Sequence, residues 1–235
     1  MKKLEKGFTL VELLVVIAIL GILMVALVPN ILGAITKSQM QTMAKQGADI
    51  VNAINIEVKK SLWPRAEAAS GGDSSEEDIY TKAYTTSTDY FKDLFDIENQ
   101  TSGDEYAPFI DVKVECLWGN GVDKASPGQL TRDNVAWTIL AGAKDISLGG
   151  VPVLVTRNAD TAQFPVSGQN DMSSKKEKIN LEKFSTLFGK KGCIVVTKDG
   201  AAMPLAARES RLCDIYEKAP AVNIPNSAKL KYLEP

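Results

Sequence analysis

From residue 8 to residue 28 the chain reads FTLVELLVVIAILGILMVALV, and only Thr9 and Glu12 are polar. No later stretch approaches this pattern. Twenty-one helical residues rise about 30 Å, the thickness of a bilayer's hydrocarbon core. Beyond Pro29 the apolar positions thin to a stripe. Ile35, Met40, Met43, Gly47, Ile50, Ile54 and Val58 recur mostly at three- and four-residue steps, with Lys37, Gln39, Gln41, Lys45, Asn52 and Glu57 mainly off it. The pattern predicts one helix over residues 8–62, about 80 Å long, ended at Leu62-Trp63-Pro64. Pro29, Gly33 and Gly47 are its weak points. So long a helix needs packing along its length. Its second half is expected on a folded head, and its first half in membrane or against other helices.

After the helix the periodicity stops. Residues 65–78 (RAEAASGGDSSEED) are small, polar and acidic, which reads as a loop. Tyr80, Tyr84, Tyr90, Phe91, Leu94, Phe95 and Ile97 predict a short aromatic helix packed into a core. Residues 112–116 alternate apolar and polar, and 135–140, 151–156 and 193–198 are β-rich runs. Gly149-Gly150 predicts a hairpin with a longer loop, and Asp199-Gly200 a tight hairpin with positive φ at both turn positions. Ile179-Asn180 reads as a helix start, with Asn180 capping, Ile179 stapling onto Phe184 and Gly189 ending it. Four or five strands and a few short helices give an α+β head with an antiparallel sheet. The expected division is 1–7, 8–28, 29–62 and 63–235.

Composition adds exclusions. The chain has no histidine, which removes His-based acid–base chemistry, Ser–His and Cys–His triads and most zinc sites. Its 27 basic and 29 acidic residues leave a formal charge of −2, no global reason to expect a nucleic-acid partner. That charge is unevenly spread. Residues 57–111 hold 13 acids and five bases, whereas 175–235 hold 12 bases and seven acids, including Lys175-Lys176-Glu177-Lys178 and Lys190-Lys191. No GxSxG, Walker A, HExxH or dinucleotide fingerprint occurs. Three lysines precede the apolar run and are expected to stay cytoplasmic, so the C-terminal bulk is expected on the other side of the membrane.

An ordinary cleaved secretory signal fits poorly. The apolar run is too long, and Leu27-Val28-Pro29-Asn30 offers no small-residue cleavage site. A plain signal anchor leaves Glu12 unexplained, because a carboxylate within a spanning run is costly without a partner. The run from Gly7 and Phe8 through Glu12 to Leu23, with its short basic leader and Pro29, resembles the class III signal of type IV pilins and type II secretion pseudopilins. The likeness covers about residues 1–35.

That resemblance implies a pilin-like α+β fold and a specific processing path. A prepilin peptidase is expected to cut between Gly7 and Phe8 and to N-methylate the new Phe8 amine. Glu12 is expected to pair with the Phe8 ammonium of a neighbouring subunit or of its own chain, setting register during assembly. The competing reading of Glu12 is a first-turn carboxylate facing the helix dipole. Pro29 is expected to kink the helix. The implied partners are further copies of this chain, related pilin-like subunits, the peptidase, an inner-membrane assembly platform and membrane lipid, with no cofactor and no nucleic acid. Some relatives bind calcium in the head. Asp73, Glu76, Glu77 and Asp78 are weak candidates here, without EF-hand spacing, and a solvated loop is the rival reading. Likewise, some minor pilins bind DNA, but the lysine clusters read more simply as a solvated face. A Cys193–Cys213 bond would resemble the disulfide-bounded loop of many pilins. Any pairing among Cys116, Cys193 and Cys213 is arithmetically open, as are buried thiols. The expected function is a pseudopilin filament subunit supporting protein export. The alternative is a surface-fibre pilin for adhesion, motility or DNA uptake. A membrane-anchored periplasmic enzyme or binding module is the rival from another class.

Overall fold

A computed structural model describes residues 9–56, 62–67, 82–96, 112–119, 122–147, 149–172, 175–181, 187–216, 221–224 and 229–235. It falls into two units, Met1–Gln39 and Met40–Pro235. The long helix α1 (Leu10–Ile56) has 47 residues and is rich in Leu, Ala, Ile and Met, which propagate a helix well or tolerate one in apolar surroundings.

In the first unit every large apolar side chain from Leu10 to Ile35 described as to burial is exposed. The segments Leu10–Val25 and Asn30–Ile56 meet at a bend of 45°. Pro29 lies in that break, where proline cannot donate the i→i−4 backbone hydrogen bond. No single described helix is long and apolar enough to cross a membrane, but the bent pair passes that test by length and composition.

In the second unit α1 buries Met40, Met43, Ala44, Ile50, Val51 and Ile54. Most of the expected stripe is therefore used, widened by Ala44 and Val51. Ile35 is a correction, being 47% exposed on the apolar first unit, and Val58 lies outside the described residues. The predicted helix end also shifts. Leu62, Trp63 and Pro64 are not helical. Leu62 and Trp63 are buried, the Tyr90 hydroxyl donates to the Leu62 carbonyl at 2.9 Å, and Trp63 Nε1 donates to Asn55 Oδ1 at 3.2 Å. Burial of these two side chains favours their packed, non-helical placement.

The helix α2 (Ser87–Asp96) is capped by Thr86, whose Oγ1 accepts from the Asp89 amide at 3.1 Å. It buries Tyr90, Phe91, Leu94 and Phe95, with Tyr84 edge-on to Tyr90 at 5.3 Å. The predicted aromatic helix is therefore present, while Tyr80 and Ile97 lie outside the described residues.

The strands in chain order are β1 (Trp137–Ala141), β2 (Pro152–Thr156), β3 (Gly168–Asp171), β4 (Gly192–Thr197), β5 (Ala202–Ala206), β6 (Ala221–Ile224) and β7 (Lys231–Leu233). Five make an antiparallel sheet in the order β5-β4-β2-β1-β7, and β3 pairs with β6. β1, β2 and β4 are buried at every position, which is why they read as continuous apolar runs. The sheet confirms the α+β, pilin-like expectation for the fold. The last strand, β7, sets Leu233 opposite Ile139 and occupies the place beside β1.

Three local expectations change. Val114–Leu117 is a 3₁₀ turn, not a strand. The segment turns Leu117 inward, and its carbonyl accepts from the Ala136 amide at 2.9 Å, so a five-residue alternation was too short to specify pairing. At Asp199-Gly200 the β4–β5 hairpin is present, but only Gly200 has positive φ, at 84°. The Gly200 amide donates to the Thr197 carbonyl at 2.9 Å, giving a turn followed by a left-handed glycine. Finally, Ile179, Asn180 and Leu181 are not helical, and residues 182–186 of the expected helix lie outside the described residues. The Asn180 amide donates to Gln163 Oε1 at 2.7 Å, and its carbonyl accepts from the Asp160 amide at 2.8 Å. Ile179 is buried beside Ser210, while Gly189 begins the 3₁₀ turn Gly189–Lys191 and Phe184 lies outside the described residues. Tertiary pairing therefore holds both backbone groups of Asn180.

Gly47 is the closest approach of α1 to the sheet. A Cβ there would lie 2.7 Å from the Trp137 ring and 2.9 Å from Val196. Removing a helix glycine gains about 0.5–1 kcal/mol, but overpacking a fully buried ring costs about 1–3 kcal/mol. Gly47→Val is therefore expected to destabilise the chain in chemical denaturation of the detergent-solubilised protein. Gly33→Ala, where nothing lies within 4 Å, is expected to leave the midpoint unchanged or raise it.

Candidate functional site

The first described turn of α1 places two polar groups together. Thr9 donates to Glu12 Oε2 from its backbone amide at 2.9 Å and from its hydroxyl at 2.7 Å. The Glu12 amide donates back to Thr9 Oγ1 at 3.3 Å. This is a capping box. A threonine N-cap and a glutamate at the third helical position satisfy each other's backbone amides. Thr-x-x-Glu before an apolar run is its sequence signature, so this role was legible at Thr9 and was missed. The geometry gives Glu12 a local partner on its own helix. Gly7 and Phe8, the expected scissile pair, lie outside the described residues.

Around and beyond this turn the helix is apolar on all sides. Leu10, Ile22 and Val25 are 78%, 73% and 79% exposed. Among the described residues, every exposed large hydrophobic side chain except Ile56 lies between residues 10 and 35. A soluble surface helix shows one apolar stripe, whereas a helix apolar all round belongs in membrane or inside a bundle. Chemically the segment can do one thing, which is to be covered.

The other candidates sit in the second unit. The expected Cys193–Cys213 bond is not made, and Cys116, Cys193 and Cys213 are all free thiols. Cys193 is fully buried in β4 opposite Leu205 of β5, whereas Cys213 is partly exposed in the short helix Leu212–Ile215 with Asp214 Oδ1 at 3.6 Å. Burial in the sheet pushes the Cys193 thiol up to about 12. Burial, then the Asp49 and Glu115 carboxylates, push Cys116 up to about 11. Cys116 lines a cleft of about 570 Å³ with Asp49, Asn52, Ile56 and Glu115. A thiol held protonated by two carboxylates is a poor nucleophile. Asp73, Glu76, Glu77 and Asp78 lie outside the described residues, and no group of three His, Cys, Asp or Glu side chains positioned for a metal occurs among the described residues.

An uncovered apolar stem with a capped polar turn, continuing into a helix laid on an antiparallel sheet, defines a pilin-like protein. Residues 2–28 match the family model described as the prokaryotic N-terminal methylation motif. The chain is 34% identical over 139 residues to a type IV major fimbrial protein FimA of Dichelobacter nodosus, covering 56% of this chain and 78% of that protein. It is 36% identical over 77 residues to another fimbrial protein of that organism, covering 30% of this chain and 46% of the relative. With fimbrial protein EcpC of Eikenella corrodens it shares 36% over 72 residues, 30% of this chain and 47% of the relative. The chain thus spans about half the length of several curated relatives it matches. No solved structure matches. On the FimA comparison the chain belongs to the type IV pilin family.

Three free thiols have a direct readout. The unreduced, denatured protein is expected to take up three alkylating groups, where a Cys193–Cys213 bond would leave one. In the native protein at pH 8, Cys193 is expected to react last, because burial and a raised thiol pKa leave little accessible thiolate. Raising the pH towards 11 should accelerate Cys116 before Cys193.

Proposed function

We propose that this chain is a structural filament subunit, cut after Gly7, methylated at Phe8 and assembled through residues 8–28, with no catalytic role of its own. The single observation that carries the reading is the stem, one helix whose large apolar side chains from Leu10 to Ile35 are exposed on all sides among the described residues. Before assembly a bilayer covers it, as a single-pass inner-membrane segment with residues 63–235 outside the cytoplasm. After assembly the stems of other copies and of related pilin-like subunits cover it. Exchanging lipid for other stems lets the same surface serve both states. A prepilin peptidase and an inner-membrane assembly platform are the partners that such a path requires.

The relatives are fimbrial proteins, which supports a type IV surface fibre as the destination. The pseudopilin reading rests on the wording of residues 13–23. Electron microscopy of sheared surface fibres supports the first reading, and loss of exoprotein secretion on deletion supports the second.

Glu12 has two roles to separate, the cap on Thr9 and the charge offered to a neighbour's Phe8 amine. Thr9→Ala removes the cap partner and keeps the carboxylate, whereas Glu12→Gln keeps a side-chain acceptor and loses the charge. Glu12→Gln is expected to stay in the membrane fraction and out of filaments, with Thr9→Ala largely unaffected. Equal loss in both variants would assign Glu12 to capping alone. Mass spectrometry of the mature chain is expected to show N-methylated Phe8 as its first residue, and any other terminus overturns the processing path.

A further inference from the structure

The fold joins two basic clusters that the sequence keeps apart. Residues 175–178 lie along 210–213. The Cys213 amide donates to the Lys175 carbonyl at 3.0 Å, the Leu212 amide to the Glu177 carbonyl at 3.3 Å and the Ile179 amide to the Ser210 carbonyl at 2.8 Å, with the Lys178 and Arg211 backbones bridged. Farther along this strip the Ala207 amide donates to the Lys191 carbonyl at 2.8 Å, which brings Lys190 and Lys191 beside Arg208. The strip carries seven basic side chains, at 175, 176, 178, 190, 191, 208 and 211, against Glu177, Glu209 and Asp214. All seven bases are exposed.

One end of this strip stands where α1 enters the second unit. Met40 is the first buried residue of α1, and a Cβ on Gly192 would lie 2.7 Å from its Cε and 3.2 Å from the Ala206 Cα. Lys191 and Ala207 are the next residues along these two strands, so Lys190, Lys191 and Arg208 lie at the Met40 end of the head. The helix runs on from there to Ile56, about 24 Å away. Along the chain, Ile35 is the last exposed large apolar side chain before Met40, and Lys37 is the first charged residue after Glu12. Five residues in any conformation reach at most about 18 Å. A bilayer around the stem therefore keeps the Met40 end of the head within that distance of the apolar boundary, next to the headgroups. Nucleic acid is the poorer partner. The strip interleaves three acids, has no aromatic side chain for base stacking in residues 175–178 or 207–211, and belongs to a chain of formal charge −2.

We propose that this basic face docks on anionic phospholipid headgroups of the bilayer that the stem spans, and holds the head of the unassembled subunit against the membrane surface. The proposal rests on the membrane reading of the stem above. Lysine and arginine make charge-assisted hydrogen bonds to phosphate oxygens, and basic residues clustered beside a membrane segment are attracted to anionic lipid. Exposed contacts of this kind are individually weak and screened by salt. They orient the head and release it when the stem leaves the bilayer.

The test uses the full chain in lipid nanodiscs, which leave both membrane faces open to solvent. One set of discs is phosphatidylcholine alone, and the other is equal parts phosphatidylcholine and phosphatidylglycerol. An uncharged amine-reactive reagent is added, and the labelling rate of each lysine is read by peptide mass spectrometry. At about 0.1 M salt, Lys175, Lys176, Lys178, Lys190 and Lys191 are expected to label roughly threefold or more slowly in the anionic discs, and at about 1 M salt the difference is expected to vanish. Lys113, which lines the cleft with Ile56 at the far end of the helix, is expected to label equally in both. A variant carrying K190E, K191E and R208E is expected to stay in the disc and to lose the difference at Lys175, Lys176 and Lys178. Equal wild-type rates in the two sets overturn the proposal, and so does a slowing that includes Lys113 or survives the triple variant. Equal rates in both sets, with slowing only when duplex DNA is added, assign the face to nucleic acid instead. Slowing that follows the number of copies per disc and ignores the lipid assigns it to a second copy. A chain that stays in neither disc is a different result, which refutes the membrane reading of the stem and the proposal with it.

Discussion

An apolar helix with no polar side has to be kept from water, and the rest of this chain is arranged around that requirement. At about 25 cal/mol per Å² of apolar surface, a helix exposed all round from Leu10 to Ile35 carries a large penalty in solution. The sheet of the second unit takes its helix from the part of α1 from Met40 onward. The face that continues α1 at Met40, Met43, Gly47, Ile50 and Ile54 is narrow and complementary to β1 and β4. The stem has no such face. One continuous helix therefore changes from surface to be covered by others to surface covered by its own chain, and Gly47 marks where that second surface is most closely fitted.

Much of this was legible because it rests on period and length. Twenty-one residues with two polar side chains admit few readings, and the stripe from Met40 to Ile54 repeats often enough to fix a face. The strands β1, β2 and β4 were legible for the same reason, being buried throughout and written in continuous apolar residues. What failed depended on partners distant in sequence. Residues 112–116 alternate like a strand, yet the position beside β1 goes to β7, three residues near the end of the chain with no signal of their own. β3, reading Gly-Gln-Asn-Asp, is a strand only because β6 pairs with it. Asn180 reads as a cap, and its backbone is held instead by Gln163 and Asp160, partners that no local pattern names.

The site divides in the same way. Gly7, Phe8 and Glu12 were singled out by a motif specific enough to name a family, and the fimbrial relatives agree with that family. The cysteines could not be paired from spacing. Cys193 belongs to a buried strand whose neighbours are apolar, and an oxidised partner would have to reach it inside the sheet. Its burial in an apolar strand is enough to explain it as a small core residue. The basic clusters were visible one at a time and looked like solvated surface; only the pairing of 175–178 with 210–213 makes them one face.

Glu12 shows why one carboxylate can serve both the single chain and an assembly. In the isolated subunit it accepts from the Thr9 amide and hydroxyl, so its charge has a partner even while the stem is alone. On the proposed cut after Gly7, a free Phe8 amine would stand one residue before Thr9 and would offer a charged donor in place of neutral ones. Charge-assisted hydrogen bonds are roughly twice as strong as neutral ones, and the difference grows as water is excluded. Such an exchange would favour the cap in the precursor and the ion pair in a dry bundle. On the proposed path this would also tie register to processing, because an uncut chain would lack the amine and leave Glu12 on its own helix.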